Sequence, residues 1–100
     1  MVHLTLHQAD YYLTGDSATG RLTIGAGEDL NLYHGGTNSY IVNDTGDLII
    51  DTEGDVVLDA NGADVLLKDN GTQYGALTNS SGNLIIKSGS TTALTFSGAD

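Results

Sequence analysis

The residue pattern predicts an all-β chain of short, glycine-punctuated strands stacked in an elongated, homotrimeric β-fibre or β-helix-like spike. Three observations carry this expectation. From Gly46 onward the chain repeats a short unit, reading GDLIIDTE, GDVVLDAN, GADVLLKDN, GTQYGALTNSS, GNLIIKS and GSTTALTFS before a final GAD. Each unit holds a run of aliphatic residues bounded by Gly, Asn, Asp and Ser, which is the signature of a strand followed by a tight turn. The aliphatic runs are also too short, and glycine recurs too often, for amphipathic helices.

The first half follows a looser form of the same grammar. GRLTIGAG places a strand through Leu22 and Ile24, EDLNLYHGG one through Leu30 and Leu32, and NSYIVNDTG one through Tyr40 to Val42. In the later units the period of two sets Leu48 and Ile50 on one face, with Val56 and Leu58, Val65 and Leu67, and Leu84 and Ile86 in equivalent places. Ile49, Val57, Leu66 and Ile85 then turn to the other face, which is therefore apolar as well. Glycine at each junction supplies positive φ, and an adjacent Asp or Asn closes the turn through its side chain. Residues 1–14 break the pattern with His and Tyr, and we read them as a cap or attachment segment preceding a repetitive strand domain over 15–100.

A strand with two apolar faces needs protein on both. Three aliphatic side chains per unit recover too little free energy to order eight backbone residues unless neighbouring strands flank the unit and cover it. A single-chain solenoid or meander would meet that need, as would a trimer whose strands wrap a shared axis. The irregular unit lengths disfavour a strict solenoid, and the second apolar face favours the trimer.

Composition narrows the function classes. Thirteen acidic residues against three basic ones leave a formal charge of -10, a field that repels phosphate and anionic lipid. Nucleic acid and membrane insertion are accordingly not expected as partners. With no Cys there is no disulfide framework or thiolate metal site, and no apolar run approaches a membrane span. The opening MVHLTLHQADYYL lacks the basic and apolar regions of a secretory signal.

No catalytic residues are expected. Glycoside hydrolysis needs two carboxylates in distinct environments across a cleft. The acids here recur instead at turns and strand edges, where turn chemistry and protection against edge pairing already place them. The GAG at 25–27 is followed by no Lys and no helix, so it is no phosphate loop. Two weaker sites are candidates. Asp47, Asp51, Asp55 and Asp59 would supply oxygen ligands to an adventitious or inter-chain Ca²⁺, although neither a paired-glycine β-roll repeat nor an EF-hand loop is present. No resident cofactor is expected. Tyr33, His34 and Tyr40, around the two-glycine turn of YHGGTNSY, would form a small glycan contact surface. His3, His7 and His34 carry no supporting ligand motif and are read as hydrogen-bonded or exposed.

The wording of residues 22–99, in particular DLNLYHGGTNSYIVNDTGDLII and GADVLLKDNGTQYGALTNSSGNLIIKSG, resembles repeat modules of tail-fibre and related structural proteins of marine tailed phages, cyanophages especially. The resemblance implies a trimeric virion fibre or appendage, extracellular when assembled, joined to itself and to other virion proteins and supporting attachment to a host surface glycan. No carbohydrate-binding head of the kind such fibres carry is evident. A capsid-decorating or receptor-binding module, and a Ca²⁺-dependent adhesin or filament, are the alternative readings.

Overall fold

The computed structural model describes residues 11–98. Among them the chain is all-β, with seven antiparallel strands in two sheets and no helix. Its contacts cluster into two units, Met1–Asp51 and Thr52–Asp100. Of the proposed cap at 1–14, residues 1–10 lie outside the described residues, while Tyr11, Tyr12 and Leu13 are exposed.

In the first unit, β1 (Arg21–Ile24), β2 (Leu30–His34) and β3 (Ser39–Asn43) form a meander with β2 in the middle. The register pairs Leu22 with Leu32 and Leu32 with Ile41, while Ile24 faces Leu30. Strand alternation therefore gathers these aliphatic residues on one face. On the opposite face Arg21, Tyr33 and Tyr40 form one cross-strand row, and Thr23, Asn31 and Val42 form the next. Asn31, buried at 6% exposure, organises this end of the sheet. Its Oδ1 accepts from Thr23 Oγ1 at 2.7 Å and its Nδ2 donates to the Glu28 carbonyl at 2.9 Å, bracing the β1–β2 loop where Glu28 adopts φ 58°.

In the second unit, β4 (Asp64–Asp69), β5 (Thr72–Ser80), β6 (Asn83–Ser88) and β7 (Thr91–Phe96) run as a four-stranded meander in chain order. The expected Gly-led turns connect it. Asn70-Gly71 joins Asp69 to Thr72 with φ of 48° and 83°, and Ser81-Gly82 joins Ser80 to Asn83 with φ of 52° and 84°. Positive φ at both central residues is the geometry whose twist matches paired strands, and it is why a two-residue hairpin selects Gly at its second position.

One face of this sheet carries the row Val65, Leu77, Ile86 and Leu94, with Leu67, Leu84 and Phe96 beside it. The other carries Leu66, Ala76 and Ile85 among Asp64, Thr78, Lys87 and Thr95. The faces thus follow the alternation read from the repeats, except that the second is mixed rather than uniformly apolar. Two bulges interrupt the ladders. Pairing passes from Gly75 to Gln73 and skips Tyr74 on β5, and from Leu94 to Thr92 and skips Ala93 on β7. Gly75 is needed on steric grounds, since a Cβ there would sit 2.8 Å from the Lys87 carbonyl oxygen of the neighbouring strand.

Neither sheet acquires a second layer within its own unit. Among the described residues Ala76, at 1% exposure on the middle strand β5, is the one fully sequestered hydrophobic side chain, and no large side chain is fully buried. Leu22, Ile24 and Ile41 on the first sheet remain exposed, as do Leu77, Leu84, Leu94 and Phe96 on the second. This follows from the architecture: a single sheet of three or four strands satisfies its backbone but shields its side chains only partly.

Two expected strands are missing from the sheets. The units GDLIIDTE and GDVVLDAN enter no ladder, and no strand occurs between β3 and β4. The chain leaves the first sheet through a braced corner, where Asp44 N donates to the Asp29 carbonyl at 3.0 Å and Thr45 Oγ1 to Asp29 Oδ1 at 3.1 Å. It enters the second through a turn closed by Ala63 N donating to the Ala60 carbonyl at 2.9 Å.

Candidate functional site

Among the described residues the most exposed aliphatic side chains lie in this unpaired stretch. Leu48, Ile49 and Ile50 in the first unit and Val56, Val57 and Leu58 in the second are all exposed, with Ile49 at 79% and Val57 at 80%. Apart from the Ala63 N to Ala60 carbonyl turn bond at its end, the hydrogen bonds of Gly46–Ala60 among described residues reduce to two. Asn43 Nδ2 donates to the Gly46 carbonyl at 3.1 Å, and Thr52 Oγ1 donates to the Gly54 carbonyl at 2.7 Å. Backbone amides with no protein partner must be met by water or by another chain, and consecutive bare aliphatic side chains favour the second.

The molecule holds an internal comparison for this stretch. The tripeptide Leu48-Ile49-Ile50 recurs as Leu84-Ile85-Ile86 in β6, in both cases after a Gly and one polar residue. In β6 it pairs with β5 on one side and β7 on the other, and Ile85 and Ile86 become half-buried. The two isoleucines thus gain cover where strand neighbours exist, while the leucine stays open in both settings, at 51% for Leu48 and 49% for Leu84. What separates the two copies is the supply of partners and not local propensity.

The four aspartates proposed as cation ligands bracket the triads: Asp47 and Asp51 flank the first, Asp55 and Asp59 the second, and all are exposed. Among the described residues no three His, Asp or Glu side chains gather closely enough to hold a metal ion. Within one chain these carboxylates therefore do not converge.

The proposed glycan surface is divided by strand alternation. Tyr33 and Tyr40 are register partners whose rings stack at 5.1 Å with an interplanar angle of 23°. From the opposite neighbour, β1, Arg21 places its guanidinium carbon 4.1 Å from the Tyr33 centroid. Because β2 lies between β1 and β3, Tyr33 is sandwiched between Arg21 and Tyr40. The outer side of Tyr40, 42% exposed, remains the aromatic surface of this row open to a ligand. His34 projects from the other face of the sheet, where its Nδ1 shares a 2.9 Å hydrogen bond with Ser39 Oγ, its register partner. The structure thus joins the two tyrosines, adds Arg21 to them and separates His34. Nothing local in the sequence marks Arg21 as a partner of Tyr33, because the contact arises from registration across the five residues 25–29 between β1 and β2. His3 and His7 lie outside the described residues.

A hollow of about 370 Å³ on the second unit lies against Leu77 and Leu84 and is otherwise lined by Ala63, Thr78, Asn79, Gly82 and Asn83. None of these side chains titrates, so the hollow belongs to the open apolar face and supplies no acid or base. No helix among the described residues is long and apolar enough to cross a membrane. Comparison of the chain with protein-family models, with curated proteins and with solved structures finds no match.

Proposed function

We propose that this chain is a non-enzymatic structural module of a homotrimeric β-fibre or spike, in which copies cover one another's aliphatic surface and the assembled rod supports attachment of a virion to a host surface. The observation that carries the reading is the pair of bare aliphatic triads at 48–50 and 56–58, the first exposed although its Leu-Ile-Ile forms a paired strand at 84–86. The open aliphatic faces of both sheets support it further, since large exposed apolar surface marks sites of association. The virion setting rests on the resemblance of residues 22–99 to phage fibre modules. In this role the protein works mechanically: paired strands give stiffness, and the Asp-, Asn- and Gly-rich turns keep the outside of the rod wet and acidic.

Light scattering tests the reading directly. A mass three times 10.4 kDa is expected, and a stable monomer at micromolar concentration would overturn it. The aromatic row favours one second reading, a receptor- or glycan-binding module that uses the outer side of Tyr40. Glycan-array binding lost in Tyr40→Ala and retained in His34→Ala would establish it.

A further inference from the structure

We infer that Asn61-Gly62 is a site of spontaneous covalent modification, at which the side-chain amide gives way to a carboxylate and part of the product gains a main-chain methylene. The inference is independent of the trimeric reading and rests on a contrast within the second unit. Asn-Gly occurs at 61–62 and again at 70–71. In such a pair the following amide nitrogen can reach the Asn side-chain carbonyl carbon, because glycine has no Cβ to obstruct the approach. The Gly62 nitrogen attacks Cγ of Asn61, the Cγ–Nδ2 bond breaks, and ammonia leaves with the proton of the attacking amide. A cyclic imide remains. Water then opens it at Cγ to give Asp, or at the main-chain carbonyl to give isoaspartate.

The fold holds the two pairs differently. Asn70 and Gly71 both have positive φ and lie between Asp69 and Thr72, which pair across β4 and β5. That geometry sets ψ of Asn70 near about +30°, whereas the imide ring requires a strongly negative ψ, so the hairpin must open before the ring closes. Asn61 and Gly62 are the central residues of the turn closed by Ala63 N and the Ala60 carbonyl, and neither has a positive φ. This is a type I turn with ψ of Asn61 near about −30°, on the side toward which the ring closes. The turn is also weakly held. Residues 46–60 before it enter no ladder, and Ala63 behind it sits at φ 76°, a left-handed conformation that disfavours alanine. Asn61 is exposed and the space beside Gly62 is open, so water reaches the pair. Isoaspartate at 61 lengthens the main chain just before Ala63, whose carbonyl accepts from Asn79 N at 3.0 Å and extends the β4–β5 pairing past Asp64 and Thr78. Modification therefore loosens the entry to β4 and adds a charge between Asp59 and Asp64.

Incubation of the wild-type protein at mildly alkaline pH, followed by peptide mapping that separates Asn, Asp and isoaspartate, tests the inference. In the folded protein Asn61 is expected to convert faster than Asn70, by roughly five- to tenfold for each hydrogen bond that the hairpin must break. In denaturant the two pairs are expected to convert at similar rates, which assigns the difference to the fold. Gly62→Ala sets its methyl group in open space and is expected to slow conversion at 61 sharply while leaving Asn70 unchanged. In the modified fraction the Asn79 amide is expected to lose its exchange protection. Equal rates at the two pairs in the folded protein, a faster Asn70, or no conversion at either would overturn the inference, as would a preference for Asn61 that persists undiminished in denaturant.

Discussion

Truncating the same isoleucine in its two settings separates intra-chain from inter-chain packing. Ile49 and Ile85 are the central residues of identical tripeptides, one 79% exposed and the other half-buried between β5 and β7. Replacing either with Ala removes three carbons, worth about 2.4 kcal/mol at about 0.8 kcal/mol each if burial is complete. In a single chain only about a fifth of the Ile49 surface is already covered, so Ile49→Ala is expected to cost a free monomer roughly 0.5 kcal/mol. In the proposed trimer, full burial of Ile49 would leave roughly 1.9 kcal/mol per copy, or about 5–6 kcal/mol over three copies, and Ile49→Ala would weaken the dissociation constant by about four orders of magnitude.

Ile85→Ala acts instead on the sheet itself and lowers the unfolding midpoint at every protein concentration. Sedimentation equilibrium over a dilution series, paired with thermal unfolding at each concentration, reads both effects. The reasoning is refuted if Ile49→Ala moves the dissociation constant less than tenfold, or if the two variants lower stability alike and independently of concentration.

Further outcomes follow from other parts of the structure. Gly75→Ala drives a methyl group against the Lys87 carbonyl oxygen and is expected to destabilise the second unit by about 1–3 kcal/mol, measured by denaturant unfolding. Asn31→Ala leaves the Thr23 hydroxyl and Glu28 carbonyl without their buried partner, and a loss of about 1–2 kcal/mol is expected together with faster amide exchange in β1. Tyr33→Ala removes both the ring stack and the guanidinium contact, and a loss of about 1 kcal/mol confined to the first unit is expected by site-resolved hydrogen exchange. Chelation by EDTA is expected to leave the assembled mass and the melting temperature unchanged. Dissociation under EDTA would instead favour the calcium-dependent filament, with Asp47, Asp51, Asp55 and Asp59 as inter-chain ligands.

The all-β class, most strand positions and the turn chemistry were legible in the residues alone because they depend on short-range physics. An alternation of Leu, Ile and Val cut by Gly every few residues excludes helix, and Asn70-Gly71 and Ser81-Gly82 encode hairpins within two positions. The division of Val65, Leu67, Leu84 and Ile86 from Leu66 and Ile85 followed from the period of two in the same way. Pairing is different, because it is a relation between distant residues. Nothing local distinguishes Leu48-Ile49-Ile50 from Leu84-Ile85-Ile86, yet the first is unpaired and the second lies inside a sheet. That difference arises because β6 has β5 and β7 two-residue turns away, whereas the braced corner at Asp44 and Thr45 releases the chain from the first sheet before Leu48.

Register likewise decided the candidate site. Tyr33 and His34 are neighbours in the chain but lie on opposite faces of a strand, while Arg21 and Tyr40, twelve positions before and seven positions after Tyr33, meet it from its two sides. The sequence by itself determined the all-β class and the residues of the seven strands and their turns, but it also marked 48–50 and 56–58 as strands, which the structure leaves outside every ladder. Only the tertiary structure decided which strands find partners within one chain, because partner supply depends on the path of the backbone and not on the preference of any residue along it.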